Sequence, residues 1–506
     1  MNYDAIIIGA GHNGLVAANY LAKAGKKVLV LERREIAGGQ LVTESFGDGF
    51  MADSLHASAQ LRPDIVRDLG LRLQAPSARS PYVALLGDGK RLTIDADPER
   101  ARESIREFSS RDAERWPEFV AFMNRAAAFF DAAYRTPMPR LPHFAPLREG
   151  LPLAGLLWKL RRLGGRDMFR IVRAMSMSAE EFTDQWFESE ALRAAVAALA
   201  IHGSALGPMS AGTGFTLMHN WLNRGGLAHQ PSADGVGQIT DALVAALKSR
   251  GGEVRVSADV QQIIVDRERA SGVRLGSGEQ ITAALIFSAA DPRHTFLKLV
   301  GAPELPPEFV WEAQSIKLRG CVAKVHVETN GQHGLPEGTL AVAPSIKYLE
   351  RAYDAAKYGE ISQQPYLEVT TRGNVVSMHF QFAPYALRHS DWGAARAQVE
   401  QRAIDTLDTY CQGFKASVKR THSITPHDLE SRYGLSEGDL NHGQLILDQI
   451  FFMRPLPGWS NHATPIDGLY LCGAGVHGGG GISGASGRNA AKMALKVTVR
   501  RRQPVR

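Results

Sequence analysis

A strand, a glycine-rich turn and a helix open the chain, and this order restricts the fold more than any other feature. Residues 5–8 (AIII) form an apolar run, and residues 9–14 (GAGHNG) carry three glycines. Residues 15–24 then have helical apolar spacing before a second apolar run at 28–31. This order is typical of the first βαβ unit of a Rossmann-type α/β domain.

Each glycine of the turn has a separate role in such a unit. Gly9 permits the tight turn, Gly11 lets the backbone approach a pyrophosphate, and Gly14 lets the helix pack closely on the strand. Glu32 follows the second apolar run, 18 positions after Gly14, where a carboxylate can accept hydrogen bonds from ribose hydroxyls. The glycines and the acid together predict a dinucleotide site.

The identity of the dinucleotide depends on residues 32–44 (ERREIAGGQLVTE). Arg33 and Arg34 alone are consistent with a clamp for the 2′-phosphate of a nicotinamide nucleotide. The whole segment resembles the extended signature of the glutathione-reductase-like flavoproteins, in which a basic residue and a glycine pair follow the acid. After the pair, where many of those proteins carry arginine, this chain has Gln40. The matching residues are Glu32, Arg33, Gly38 and Gly39.

A second glycine cluster lies in residues 471–489, which contain eight glycines. Such a tract can be a flexible linker, but its flanks indicate order. Residues 467–475 read as a turn, a short apolar strand and a glycine turn, and residues 484–500 have helical spacing. A strand, a glycine loop and a helix in this order form a backbone nest for a phosphate or another polar ligand group.

Several motifs follow one another in the order seen in the phytoene desaturase-like flavoproteins. They most resemble the branch of the pyridine nucleotide-disulphide oxidoreductase domain-containing proteins. The resemblance covers most of the chain and implies FAD as the cofactor. The motifs lie at residues 235–243, 251–266, 288–292, 447–455 and 467–491.

The same resemblance implies which residues contact FAD. In the middle segment, Val260 would meet the adenine through its backbone. In the late loop, Gly473, Ala474 and Gly475 would approach the pyrophosphate and ribitol, and Gly481, Ile482 and Gly484 the flavin ring. In the N-terminal unit the implied contacts are Gly9, Gly11, His12, Asn13, Gly14, Glu32, Arg33, Gly38, Gly39, Gln40 and Leu41.

The interleaving of these motifs predicts an α/β chain with two discontinuous domains. Residues 1–75, 232–300 and 440–506 would form the Rossmann-type FAD-binding domain, and residues 76–231 and 301–439 the substrate domain. The substrate domain is expected to be of the α+β type, with a mixed sheet and a helical cap. The patterns that indicate this are a helix at 111–134 and strands at 321–329 and 374–382.

Candidate catalytic residues are few, because a flavin accepts hydride at N5 and does not always require an acid or a base. His477 lies inside the late glycine loop and could face the flavin. Its alternative role is a hydrogen bond that shapes the loop. His56 follows the glycine pair, and the number of residues between them would allow the chain to bring His56 back to the flavin ring.

Composition and charge exclude several classes of protein. The chain has 44% hydrophobic and 22% charged residues, which is ordinary for a folded globular protein. It contains no apolar run of the roughly 18 residues needed to span a bilayer, and its three cysteines are scattered without a CxxC motif. We therefore expect a cytoplasmic protein without a metal site, a redox disulfide or a nucleic-acid module. Its oligomeric state is not readable from the sequence.

The net charge of +6 is concentrated partly in residues 151–175. Leu156, Leu157, Leu160 and Leu163 recur there at helical spacing among lysines and arginines. The pattern predicts a basic amphipathic helix, either with its apolar side in the core or docked on an anionic membrane surface.

Taken together, the motifs predict an FAD-dependent oxidoreductase. It would remove hydride from a carbon–carbon or carbon–nitrogen bond of a largely apolar substrate and pass the electrons to oxygen or a quinone. No second GxGxxG motif indicates a nicotinamide nucleotide. Two alternatives stay open, a redox-neutral double-bond isomerase and a flavin-retaining scaffold protein without catalysis.

Overall fold

The computed structural model describes residues 3–47, 49–74, 78–139, 147–228 and 235–502. Strands and helices are numbered in chain order. The strands are β1 Tyr3–Ile8, β2 Val28–Leu31, β3 Thr43–Ser45, β4 Met51–Asp53, β5 Tyr82–Leu85, β6 Arg91–Ile94, β7 Glu253–Arg255, β8 Val260–Asp266, β9 Arg269–Leu275, β10 Gln280–Ser288, β11 Val322–Thr329, β12 Thr339–Val342, β13 Leu367–Arg372, β14 Val375–Gln381, β15 Val418–Ile424 and β16 Leu469–Leu471.

The α-helices have a wide range of lengths, from single turns to 26 residues. They are α1 His12–Lys23, α2 Pro63–Leu69, α3 Pro98–Arg106, α4 Ser110–Arg135, α5 Leu147–Arg162, α6 Gly165–Ser176, α7 Ala179–Asp184, α8 Glu190–Ile201, α9 Thr213–Arg224, α10 Gly237–Lys248, α11 Pro292–His294, α12 Pro307–Gln314, α13 Ile346–Lys357, α14 Trp392–Tyr410, α15 Phe414–Ser417, α16 Pro426–Tyr433 and α17 Ala485–Arg502.

The first sheet has seven strands in the order β7, β2, β1, β10, β9 and β8, with β16 paired to β10. Strands β7, β2, β1, β10 and β16 pair in parallel, and β8, β9 and β10 pair antiparallel. Alternate residues of β1 and β2 enter two different cores, since side chains alternate between the faces of a sheet. Helices α1, α10 and α17 cover one face, and β8, β9 and residues 296–316 contribute to the core on the other.

The second sheet also has seven strands, in the order β15, β11, β14, β13, β12, β5 and β6. Its pairs are antiparallel except for the parallel pair of β12 with β5. One face packs its apolar residues with α14 in a single core. Most of the opposite residues of β11, β13 and β14 are polar, and this mainly polar face takes part in the site described below.

Helices α3 to α9 form a cap with a large apolar core against the second sheet. The predicted amphipathic helix at 151–175 is divided into α5 and α6. Gly164 adopts φ 86° at the junction, a backbone conformation that glycine adopts more readily than other residues, and this ends α5. In the part of the chain that the structure describes, no helix is both long and apolar enough to cross a bilayer.

Candidate active site

The glycine turn between β1 and α1 forms the first wall of the site. A Cβ atom placed on Gly14 would lie 2.2 Å from the carbonyl oxygen of Gly9, so only glycine allows the helix to approach the strand this closely. A Cβ on Gly11 would meet no atom within 4 Å. The space beside Gly11 is therefore open at the N-terminus of α1, where backbone N–H groups and the helix dipole favour an anion.

The carboxylate of Glu32 is fixed beside this turn. Its Oε2 accepts a hydrogen bond from the backbone N–H of Ala10 at 2.8 Å, and its Oε1 accepts one from the backbone N–H of Arg34 at 3.0 Å. A carboxylate has about four lone-pair positions, so both oxygens can still accept hydrogen bonds from a ligand. Glu32 is buried but borders a cavity, which is the position expected for a ribose-binding acid.

This nucleotide cavity lies where four parallel strands end. The residues just beyond β1, β2, β10 and β16 border it, and it measures about 1620 Å³ including its open mouth. Ligands of open parallel sheets bind at this edge. Of the predicted FAD contacts, the nucleotide cavity is lined by Gly9, Gly11, His12, Asn13, Gly14, Glu32, Arg33, Gly39, Gln40, Val260, Gly473 and Ala474.

The two arginines that follow Glu32 have partners in the protein. The guanidinium of Arg33 donates to the backbone carbonyls of Glu430 and Ser431, at 3.1 and 2.6 Å. Arg34 forms an ion pair with Glu44. Both side chains are thus committed to contacts within the protein, and neither is arranged as a clamp for a 2′-phosphate.

A second cavity, here called the reaction cavity, joins the nucleotide cavity at His12, Gln40 and Ala474. It measures about 1500 Å³ including its mouth. Part of its wall is the late glycine loop, with Gly480, Gly481 and Ile482. A long ligand can therefore run from Glu32 along the glycine turn and end against the late loop, as the shape of FAD requires. The residues present fit this cofactor.

Five predicted site residues, four FAD contacts and the catalytic candidate His477, lie outside both cavities. A Cβ on Gly475 would lie 2.4 Å from Cδ of Pro292, and one on Gly484 would lie 3.1 Å from a Val16 methyl, so these glycines permit close packing. A Cβ on Gly38 would lie 2.6 Å from the carbonyl oxygen of Leu41. Leu41 itself is buried in the core under α1. His477 is the fifth.

His477 is held by the end of α4. Its Nε2 lies 3.1 Å from the carbonyl oxygens of both Ala133 and Thr136, and the ring is buried. Burial lowers the pKa of His477 to about 4, so the imidazole is neutral near pH 7. These contacts correspond to the alternative role, a hydrogen bond that shapes the loop.

His56, the other candidate, borders the reaction cavity. Its Nε2 lies 2.9 Å from Oε1 of Gln40, one of the residues that join the two cavities. Burial lowers the pKa of His56 to about 3, and the nearby positive charge of Lys324 acts in the same direction. A neutral His56 thus lies on the wall of the reaction cavity and can orient Gln40.

The structure adds a group of three charged residues and two histidines that the sequence interpretation did not include. Arg224 of α9 forms a bidentate ion pair with Glu368 of β13, with N–O distances of 2.9 and 2.7 Å. On the second sheet, His379 pairs in register with both Lys324 and Glu368, so the three side chains lie side by side on adjacent strands. His202 stacks on His379 with ring centroids 4.1 Å apart. All five residues line the reaction cavity.

Lys324 is the buried lysine of this group. It is 8% exposed, and burial lowers its pKa to about 8, against the attraction of Glu368. A signal for it exists in the sequence, because alternation in CVAKVHVET places Lys324 and His326 on the face opposite to Val325 and Val327. In the described residues no group of three or more histidine, cysteine or acidic side chains is arranged to hold a metal.

Comparison with known proteins gives four similarities that each extend over nearly the whole chain. The family profile described as flavin containing amine oxidoreductase matches residues 14–495. The pyridine nucleotide-disulfide oxidoreductase domain-containing protein 2 of Rattus norvegicus is 32% identical over 547 residues, covering 98% of this chain and 93% of the relative. The lycopene-forming phytoene desaturase of Pseudescherichia vulneris is 24% identical, covering 97% and 98%. A triple mutant of putrescine oxidase has a similar fold, with a TM-score of 0.57 and 17% identity over 99% of each chain.

Proposed function

The chain belongs to the flavin-containing amine oxidoreductases, and from this premise we propose that it dehydrogenates a carbon–carbon or carbon–nitrogen bond of a mainly apolar substrate. The predictions of FAD as cofactor, of oxidoreductase activity and of a relationship to the phytoene desaturases are confirmed by the family. The proposal adds three points to the family assignment. They are the substrate, membership of the glutathione-reductase-like class, and an electron acceptor that would be oxygen or a quinone.

The observation that most strongly supports the proposal is that the nucleotide cavity and the reaction cavity are continuous. FAD supplies a hydride acceptor at N5, and the late glycine loop lies at the end of the path that begins at Glu32. A substrate in the reaction cavity would be shielded from water by the second sheet and by α9. Apolar lining residues are available to hold it, among them Leu55, Ala57, Ala205, Leu206, Leu445 and Ile446.

The direct experiment is an anaerobic reduction of the purified protein loaded with FAD. Amines, fatty acyl compounds and polyenes are added in turn, and the visible flavin bands are recorded. Bleaching by one class, together with an oxidised product, supports dehydrogenation and identifies the bond attacked. Conversion without bleaching or net oxidation favours the isomerase, and a bound flavin that no compound affects favours the scaffold. Glu32→Ala, expected to bind FAD weakly, is the control for free flavin.

We also propose that α5 and α6 contact an anionic membrane surface. Leu156 faces the core, but five apolar side chains of these helices are between 53% and 69% exposed. Exposed cations surround them, whereas Asp167 pairs with Arg125 and Glu118 pairs with Arg166 and Arg170. A basic helical surface with exposed aromatic residues fits the interface of an anionic bilayer. The exposed apolar residues are Leu151, Leu157, Trp158, Phe169 and Val172, and the exposed cations include Lys159, Arg161, Arg162, Arg166 and Arg173.

Vesicle flotation tests this contact. The protein should float with phosphatidylglycerol-containing vesicles and not with pure phosphatidylcholine. The double variant Trp158→Glu, Phe169→Glu should lose flotation. Trp311→Glu is the matched control, because Trp311 is 70% exposed on α12, outside this surface. An absence of flotation with the anionic vesicles would refute the contact.

A further inference from the structure

A buried histidine of the helical cap holds the late glycine loop where the loop borders the reaction cavity. His219 of α9 is 1% exposed, and its Nε2 lies 2.8 Å from the backbone carbonyl oxygen of Gly480. Gly480 and Gly481 both line the reaction cavity, whereas His219 lines neither cavity. His219 can therefore act on a ligand of the cavity only through the loop.

The contacts of His219 determine which ring nitrogen carries the proton. A carbonyl oxygen only accepts, so Nε2–H donates to Gly480, since in the other tautomer two acceptors would face each other at 2.8 Å. Nδ1 then accepts from the hydroxyl of Tyr134, 2.6 Å away. The amide nitrogen of Asn223 also lies 3.1 Å from Nε2, but it donates to the backbone carbonyl of His219 at 2.9 Å. Burial lowers the pKa of His219 to about 4, so the ring is neutral at pH 7.

The hydrogen bond from His219 sets the direction of the peptide group between Gly480 and Gly481. This peptide is trans, so its C=O and N–H point in opposite directions, and the N–H of Gly481 points away from His219. Among the residues that the structure describes, none accepts a hydrogen bond from this N–H. Because Gly481 borders the reaction cavity, its N–H is an oriented donor at the cavity wall without a partner in the described chain.

We propose that His219 is a positioning residue for the flavin, which aims the Gly481 N–H at the ring and so favours the reduced form. Reduction adds negative charge to the flavin. An oriented donor stabilises such charge without reorganisation, and hydrogen bonds to charged acceptors are stronger than those to neutral ones. Tyr134 supports His219 by fixing its tautomer. The inference goes beyond the proposed function, because it concerns the cofactor alone and requires no substrate.

The midpoint potential of bound FAD tests this role. The FAD-loaded full-length protein is reduced anaerobically with dithionite beside a reference dye. His219→Phe should lower the affinity for reduced relative to oxidised flavin by about tenfold, which makes the potential about 30 mV more negative for a two-electron couple. His219→Gln should keep most of the wild-type potential, because a glutamine amide can donate to the same carbonyl.

His462→Phe is the matched control. His462 is also buried, and its Nδ1 lies 3.1 Å from the backbone carbonyl oxygen of Leu471, but it lines neither cavity. Losing either histidine should lower the thermal midpoint, since each contacts a buried carbonyl. Only His219→Phe should also change the potential, which distinguishes positioning of the flavin from general support of the fold.

Tyr134→Phe is a second, milder variant, because it keeps the ring and removes only the hydroxyl that contacts His219. It should change the potential in the same direction as His219→Phe but by less, since Gly480 still favours the proton on Nε2. In the His219→Phe background it should cause no further change, because Tyr134 lines neither cavity and acts through His219.

Three outcomes would overturn the role of His219. The first is an unchanged potential in His219→Phe at full flavin content or, if that variant does not fold, in Tyr134→Phe. The second is a change in His462→Phe as large as in His219→Phe. The third is a change in His219→Gln as large as in His219→Phe. Since dithionite supplies the electrons, none of these results bears on the dehydrogenase proposal, and a protein that no substrate reduces could still show the expected potentials.

Discussion

Arg224 and Glu368 join the helical cap to the second sheet through two parallel hydrogen bonds, with Nη1 2.9 Å from Oε2 and Nη2 2.7 Å from Oε1. The two side chains are 14% and 8% exposed, so the pair is largely withdrawn from water. Lys324 lies on the same cavity wall, so the three charges sum to +1 when this lysine is protonated. Removing Glu368 therefore has a different electrostatic consequence from removing Arg224.

Glu368→Gln should destabilise the FAD-free protein more than Arg224→Met. Without Glu368, two buried cations repel each other, and breaking a buried pair in this way costs about 3–5 kcal/mol. Without Arg224, Glu368 can neutralise Lys324 instead. The measurement is the thermal midpoint of each variant at pH 7. Equal midpoints, or a lower one for Arg224→Met, would contradict this account of the three charges.

Glu32→Ala should weaken FAD binding by about ten- to a hundredfold, which is the usual effect of losing hydrogen bonds to a charged group. The substitution also leaves the backbone N–H of Ala10 without its acceptor. The dissociation constant is measured by quenching of flavin fluorescence. Glu35→Ala is the control, since Glu35 is exposed three positions further along. An unchanged affinity in Glu32→Ala would show that the ribose assignment is wrong.

His477→Gln should retain both bound flavin and the full rate of flavin reduction by any compound that bleaches it. A glutamine amide can donate to the carbonyl oxygens of Ala133 and Thr136, which His477 contacts at 3.1 Å. His477→Ala should instead lower the thermal midpoint, since removing a buried hydrogen-bond partner costs about 1–3 kcal/mol. A reductive rate that falls in His477→Gln at unchanged flavin content would restore the catalytic role.

The N-terminal unit was predictable because its determinants are local. The apolar run at 28–31 is strand β2, and the helix predicted from Leu15 begins three residues earlier, at His12. The reaction cavity was not predictable in the same way. Lys324, His379 and Glu368 meet only through the register of three strands, and Arg224 joins them from a helix a hundred residues earlier.

A glycine in this chain can be required either beside a ligand cavity or for tight packing, and a sequence pattern does not distinguish these two reasons. Gly481 borders the reaction cavity, and a Cβ there would lie 2.2 Å from Oδ1 of Asn223. Gly475 and Gly484, from the same cluster, lie in neither cavity and are required by tight packing against Pro292 and Val16. The late loop was thus correctly recognised as ordered, but its individual residues could not be assigned to ligand or packing without coordinates.

Lys324→Met should stabilise the FAD-free protein at pH 7. The pKa of Lys324 falls from 10.5 to about 8 on folding, which corresponds to a cost on the order of 3 kcal/mol while the folded lysine is protonated. Between pH 8 and 10.5 the unfolded lysine binds more protons than the folded one, so wild-type stability rises with pH relative to the variant. The difference in thermal midpoint should shrink from pH 7 to pH 10. Lys317→Met is the control, because Lys317 is exposed and pairs with Asp448. A difference that is constant with pH, or absent in Lys324→Met but present in Lys317→Met, would contradict the prediction.

The protein should lose stability steeply below pH 6.5, because many of its histidines are buried and neutral. Burial lowers the pKa of His12, His219 and His477 to about 4 and that of His56, His326 and His462 to about 3. Below pH 6.5 the unfolded chain binds protons that the folded chain does not, so the free energy of unfolding falls with pH by roughly 2 kcal/mol for each such histidine at pH 5.

Thermal midpoints recorded from pH 7.5 to 4.5 would measure this loss. His326→Gln should reduce the slope by about one bound proton, since His326 lies outside both cavities and its hydrogen bonds to Ser377 and to the Ser54 carbonyl involve groups that glutamine can also reach. His389→Gln is the control on an exposed position. Carboxylates also titrate at the acidic end of this pH range. The decisive quantity is therefore the difference in slope between the two variants near pH 5.5. If both have the slope of the wild type there, His326 is not held neutral by the fold.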